Sequence, residues 1–273
     1  MKPLSKESFV DSLYLPLQDQ EFLQSQRIAG KVAAKALIML EQMVIDKTDK
    51  SLIELDIIVE QFIRDNGGIP SFKGYRGFPN SCCFSINKQL VHGLATDYRF
   101  QEGDMITFDL GVTYNHTIGD SALSVIFGEP KCEQHVRLLQ TTKKALYAGI
   151  NAVKVGNRMG CIGNAIYKCA IAEGFGVVNN YGGHTIIRDN DGNEVLHAQP
   201  FIANRDNINN GIRIQPGMVL CIEPMLTIGE PKTTTKEDRW TVETEGLSCH
   251  YEETIYIHSD HIEIITDKGN FWG

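Results

Sequence analysis

Five side chains in this sequence have the chemistry of a metal centre. Asp109 closes the run Met105-Ile106-Thr107-Phe108, and Asp120 ends a second apolar run within FDLGVTYNHTIGD. Glu223 lies inside MVLCIEPML, and Glu252 inside HYEETIYIH. A carboxylate taken out of water is strongly disfavoured unless something pairs with it. Any one of these acids alone could face solvent from a strand. Four of them inside apolar runs, with no Lys or Arg interleaved, point to a divalent cation. If Tyr114-Asn115 is the turn of the first hairpin, Asp109 and Asp120 stand directly opposite, roughly 5 Å apart at Cβ. Like charges that close require a proton or a cation between them. His184 follows Tyr181-Gly182-Gly183, where small residues let the backbone pack closely and leave the imidazole open to a cleft. A lone histidine is more often a core or surface residue than a ligand, but beside an oxygen-rich set it suits Mn, Fe, Co or Zn better than Mg alone.

The elements that must position these groups show as two rounds of the same order. Ala29, Val32, Ala33, Ala36, Leu37, Leu40, Met43 and Val44 recur at helical spacing. Ser51 followed by Glu54 is a capping-box signature and opens a second helix, which Gly67-Gly68 and Pro70 stop. Residues 75–127 read as short strands. Helical patterning returns over about 133–153 and 159–173, and a second strand-rich stretch runs over 177–265. Lys35-Ala36-Leu37 recurs as Lys144-Ala145-Leu146, Gly67 matches Gly176 at the helix ends, and QEGDMITFD echoes QPGMVLCIE with an acid six residues after the glycine. The repetition predicts two related α/β halves with Asp109 and Glu223 meeting near a pseudo-two-fold axis. No linker separates them, so residues 21–273 read as one domain after an irregular extension over residues 1–20.

Composition narrows the class. The chain has 273 residues, 42% of them hydrophobic and 22% charged, with a formal charge of −8. That balance argues against a nucleic-acid backbone or an anionic membrane as the main partner. Seven cysteines without a CxxC pair suit reduced thiols. No run reaches transmembrane length, and the first residues lack an apolar signal core. The expectation is a cytoplasmic protein.

Taken in order, SINKQLVHGL, FDLGVTYNHTIGDSA, YGGHT, LHAQP, PGMVLCIEPM and WTVETEGLSCHYEETI resemble the type I methionine aminopeptidases, over residues from about 21 to 265. The resemblance implies a pita-bread fold: two pseudo-symmetric halves with a curved antiparallel sheet covered by helices. It implies Asp109, Asp120, His184, Glu223 and Glu252 as ligands of two divalent ions (Co, Mn, Fe or Zn). Asp120 and Glu252 would bridge, Asp109 would hold one ion, and His184 with Glu223 the other. Glu252 is chosen over Glu253, which then points to the opposite face of its strand and reads as a surface residue. His92 and His197 match the two family histidines that touch substrate. The implied reaction is removal of N-terminal methionine from nascent chains by metal-bound hydroxide, with Glu223 relaying the proton. The family expectation is a monomer, at most in transient proximity to the ribosome. A non-catalytic binding module of the same fold would lack ligands, and a proline-directed aminopeptidase would carry a larger N-terminal domain.

The resemblance also places Tyr75, Phe78, Cys83, Leu196 and Trp240 around the methionine side chain, where aromatic rings and sulfur suit a thioether. Three features depart from the family pattern. Gly183-His184-Thr185-Ile186-Ile187 stands where the family has Gly-His-Gly-Ile-Gly. The stretch RDNDGNE lengthens the interval from His184 to His197 and reads as a hairpin tip turning at Asp191-Gly192. Arg76 and His250 replace a common His and Gln. His116, His135, His258 and His261 match nothing and read as surface residues.

Overall fold

Two helix pairs and a set of antiparallel sheets make up the described residues, 20–269 apart from residue 190, in this computed structural model. The helices are α1 (Gln20–Ile45), α2 (Leu52–Asp65), α3 (Glu133–Ala152) and α4 (Gly160–Ala172). In the first half the strands are β1 (Ile69–Pro70), β2 (Cys83–Ile86), β3 (Gln89–Val91), β4 (Met105–Tyr114) and β5 (Thr117–Ile126). The second half contributes β6 (Gly176–Val177), β7 (Gly182–Arg188), β8 (Glu194–Ala203), β9 (Val219–Ile222) and β10 (Met225–Thr227). It continues with β11 (Thr233–Thr235), β12 (Val242–Thr244), β13 (Ser248–His250), β14 (Glu253–Ile257) and β15 (Ile262–Ile264). The expected extension over residues 1 to about 20 lies almost wholly outside the described residues.

The expected capping box forms: the Ser51 hydroxyl accepts from the Glu54 N–H at 3.4 Å, and the Glu54 carboxylate accepts from the Ser51 N–H at 2.8 Å. Helix α1 buries Ala29, Ala33, Ala36, Leu37, Leu40 and Val44. It lies against β4 and β5. Its approach to the hairpin is so close that a Cβ on Gly119 would sit 2.5 Å from Gly30 Cα. Helices α3 and α4 pack on one another, α3 also meeting β9, β10 and β13. The helix-end glycine that corresponds to Gly67 is Gly174, with φ of +79° and +80° respectively. Gly176 instead begins β6.

One sheet orders β1-β4-β2 with β5 also on β4, and the largest orders β15-β14-β9-β7-β8. The two meet where Ala122 and Glu252 exchange backbone hydrogen bonds of 3.3 and 3.0 Å. The β4–β5 register differs from the sequence expectation. Asp109 faces Ala122 and Asp120 faces Gly111, because the turn is Asn115-His116, both left-handed with φ of 44° and 56°. Moving a turn by one residue slides the register by two, so both aspartates keep the same face.

Candidate metal centre and substrate pocket

Asp109 on β4, Asp120 on β5, His184 on β7, Glu223 just after β9 and Glu252 between β13 and β14 all line one cavity of about 290 Å³. All five are buried. His184 Nε2 lies 3.7 Å from Asp120 Oδ2, 3.8 Å from Glu223 Oε1 and 4.0 Å from Glu252 Oε1. The backbone holds these carriers tightly. Thr254 Oγ1 accepts from the Asp120 N–H at 3.0 Å and donates to its carbonyl at 2.7 Å. Ser121 Oγ donates to the Glu252 carbonyl at 2.7 Å. Gly183 permits the approach of β7 to β9, since a Cβ there would lie 2.1 Å from the Cys221 carbonyl oxygen.

The electrostatics are those of a tightly packed cluster of acids. Burial, followed by Asp120 and Glu223, raises Asp109 well above the carboxylate range. Burial and then Glu223 push Asp120 up to about 8. Glu252 rises strongly for the same reasons. At Glu223 burial pulls upward too, but His250, His184 and His197 outweigh it and leave the carboxyl below its usual range. Burial lowers His92 and His184, favouring neutral imidazole, the form that binds metal. Asp109 Oδ1, Asp120 Oδ1 and Glu252 Oε1 are buried without any hydrogen-bond partner. Orphaned carboxylate oxygens converging on an imidazole fit a divalent ion, which supplies the missing charge and coordination at once. Asp120, His184, Cys221 and Glu252 place donor atoms within 4.8 Å of one another, as do Glu223, His250 and Glu252.

The cavity also has apolar lining. Tyr75, Phe78, Cys83 and Trp240 contribute to it, with the Phe78 and Trp240 rings edge-on at 5.1 Å. Leu196 is the exception: it is 3% exposed, packs in the hydrophobic core and does not line the cavity. Alternation along β8 gives the cleft to its neighbour His197 instead. His197 sits at the exposed mouth, with Nδ1 3.2 Å from the Tyr75 hydroxyl and its ring 4.5 Å from that of His184. Loss of surrounding water, then the nearness of His184, lowers its pKa. His92, left-handed with φ of 57°, follows β3 and faces Tyr181 at 6.1 Å between ring centroids. Phe72, Val91, Tyr181, Phe201 and Met225 also line it and were not among the expected pocket residues. Val91, Tyr181 and Met225 did leave a signal, since they lie within SINKQLVHGL, YGGHT and PGMVLCIEPM.

One other expectation changes. Glu253 is 1% exposed and is no surface residue: it pairs with Lys268 Nζ at 2.6 Å and accepts from Thr266. His250 is likewise 1% exposed and meets Glu223, its Nε2 3.3 Å from Oε2. The extra residues between β7 and β8 do form a hairpin tip. There the Asp189 carboxylate accepts from the N–H groups of Asp191 and Asn193 at 2.9 Å each. Among the remaining histidines, His116 and His261 are exposed, whereas His135 and His258 are half-buried.

Residues 24–259 match the model of metallopeptidase family M24. The chain belongs to that family. A methionine aminopeptidase of Mycoplasma capricolum is 38% identical over 254 residues, spanning 92% of this chain and 98% of its own. One from Bacillus subtilis is 39% identical, over 88% and 94%. Among solved structures, a methionine aminopeptidase of Thermotoga maritima superposes with a TM-score of 0.86 at 31% identity, covering 92% of this chain and 98% of its own. A prolidase of Pyrococcus furiosus, at 20% identity and a TM-score of 0.70, shares the fold alone. The resemblance to methionine aminopeptidases therefore holds along nearly the whole chain, as does the reading as a metallo-exopeptidase. Family membership implies a divalent metal, and the buried donor group described above is able to bind one. No helix among the described residues is long and apolar enough to cross a membrane.

Proposed function

We propose that the chain removes N-terminal methionine from nascent proteins and peptides, using a pair of divalent ions. The observation that carries this reading is a single cavity lined both by five buried metal-type donors and by Tyr75, Phe78, Cys83 and Trp240. Asp109 would hold one ion, His184 and Glu223 the other, with Asp120 and Glu252 between them. Co, Mn, Fe and Zn all suit this mixture of oxygen and imidazole. When bound, the ions supply Lewis-acid chemistry, acidifying a water and polarising the scissile carbonyl.

The chain's own residues do the rest. Glu223, held below the usual carboxylate range, is ionised at neutral pH and can accept a proton from the attacking water and pass it to the leaving amine. His92 lines the cavity beside Tyr181 and would meet the substrate amine and scissile amide. His197, held by Tyr75, would donate to the developing oxyanion. The aromatic lining excludes water around the thioether and sets the preference for methionine over polar side chains.

Residues 21–273 act as one catalytic unit in this reading. The unpaired cysteines suit a cytoplasmic monomer that meets nascent chains, in transient proximity to the ribosome. The test is hydrolysis of Met-Gly-Ser, Leu-Gly-Ser and Xaa-Pro peptides by apoprotein titrated with Mn, Fe, Co and Zn. Metal-dependent release of methionine alone is expected. Release of proline-linked residues instead, or no release from folded protein with any ion, would overturn the proposal.

A further inference from the structure

His250 is 1% exposed, yet its Nδ1 has no hydrogen-bond partner and its Nε2 is paired with the Glu223 carboxylate. A buried imidazole nitrogen left without a partner is costly, and native structures rarely keep one without a reason. The ring is not loose. His250 ends β13 opposite Met225, its N–H donates to Ser124 Oγ at 3.2 Å, and its carbonyl accepts from the same oxygen at 2.8 Å. Anchored in this way, its Nε2 lies 3.3 Å from Glu223 Oε2. The other oxygen of that carboxylate lies 3.8 Å from His184 Nε2. Glu223 thus stands between two imidazoles. Two donors bound to one zinc-like ion at roughly 2.0–2.2 Å from it are about 3–3.5 Å apart, which is the separation between His250 and Glu223.

We propose that His250 is a nitrogen donor to an ion that Glu223 and Glu252 also hold, an addition to the five ligands that the family resemblance supplies. The inference rests on the metal-centre reading above. Donor atoms of Glu223, His250 and Glu252 fall within 4.8 Å of one another. The change from an amide to an imidazole at this position matters chemically. An imidazole nitrogen in an otherwise carboxylate-rich shell shifts preference from Mn towards Zn, Co and Fe. The site thereby selects its metal through one substituted residue, with no change in the carboxylates.

The decisive measurement is proton NMR of the Co(II)-loaded protein in H₂O and D₂O. Two hyperfine-shifted, exchangeable imidazole N–H signals are expected, one from His184 and one from His250, with one remaining in His250→Gln. Competition titrations should show His250→Gln losing more in Zn and Co affinity than the roughly 10–100-fold typical of an outer-shell partner, with a smaller change for Mn. A single shifted imidazole in the unaltered protein would overturn the proposal, and needs no variant to fold. So would an equal loss for all ions, which would mean that His250 only positions Glu223. Failure of the unaltered protein to bind any ion would overturn the metal-centre reading itself, a result distinct from the other two.

Discussion

Asp109 and Asp120 share one face of the β4–β5 hairpin as diagonal neighbours, Asp109 opposite Ala122 and Asp120 opposite Gly111. Burial raises the energy of ionising both, Asp120 adds to it at Asp109, and Glu223 adds to it at each. Asp120 accordingly moves from 3.8 to about 8. A carboxyl whose folded pKa is raised takes up protons on folding, so stability is lost as pH rises between the two values. Metal binding requires the same groups ionised, so stabilisation by metal grows across that window. The melting temperature of the apoprotein should fall from about pH 4 to pH 8 while the gap opened by added Co or Zn widens. Asp120→Asn should flatten the apoprotein's slope and remove the gap, with activity falling by more than the roughly 10–100-fold typical of losing an outer-shell partner. Calorimetry across pH checks both parts, and an apoprotein that gains stability towards pH 8 would contradict the account.

Glu253 and Lys268 form a buried ion pair directly behind Glu252. Lys268 Nζ also donates to Ser121 Oγ at 2.7 Å and to the Glu252 carbonyl at 3.3 Å. Removing one partner strands the other's charge, at a cost of about 3–5 kcal/mol, whereas replacing both by apolar groups can be nearly neutral. Urea unfolding should therefore place Glu253→Ala well below the double variant Glu253→Met/Lys268→Met. Equal destabilisation by both would mean that the pair's charges are not what matters.

How far the sequence revealed these arrangements depends on whether the signal was local. Asp109, Asp120, Glu223 and Glu252 stand out because an acid inside an apolar run conflicts with burial, and that conflict is visible without a structure. Both helix pairs were visible through their period and through Ser51 and Glu54. The hairpin register was missed because His116, unlike glycine, gives little sign that it will adopt a left-handed turn. Glu253 was misread because alternation assigns it a face but not what covers that face. All five residues of β14 are buried, and Lys268 returns from the end of the described chain. The cavity lining was half legible: Phe72 and Phe201 reach it from segments whose convergence is set by tertiary packing alone.

Gly183 and Gly192 separate two roles of glycine within one hairpin. A Cβ on Gly183 would strike the Cys221 carbonyl at 2.1 Å, forcing β7 off β9 and carrying His184 with it. A Cβ on Gly192 meets nothing within 4 Å, but φ is +84°. Gly192→Ala should cost about 1 kcal/mol and leave metal affinity and kcat unchanged. Gly183→Ala should lose metal binding along with stability. Comparison of zinc affinity and thermal melting for the two variants tests this; comparable metal affinity in both would show that β7 can shift without moving its ligand.

Arg76 stands at the cavity mouth with its guanidinium 5.3 Å from the Tyr75 ring centroid, and no carboxylate among the described residues forms an ion pair with it. Tyr75 in turn touches His197, so the charge lies where a peptide would leave the pocket proposed for methionine. An exposed ion pair contributes roughly 0.2–1 kcal/mol, which corresponds to about 1.4–5-fold in kcat/KM. Peptides of the form Met-Gly-Asp should be preferred over Met-Gly-Lys by that factor at low salt, and the preference should fade as ionic strength rises. Arg76→Glu should reverse it, while a preference unchanged in that variant would place the peptide's path away from Tyr75 and Arg76.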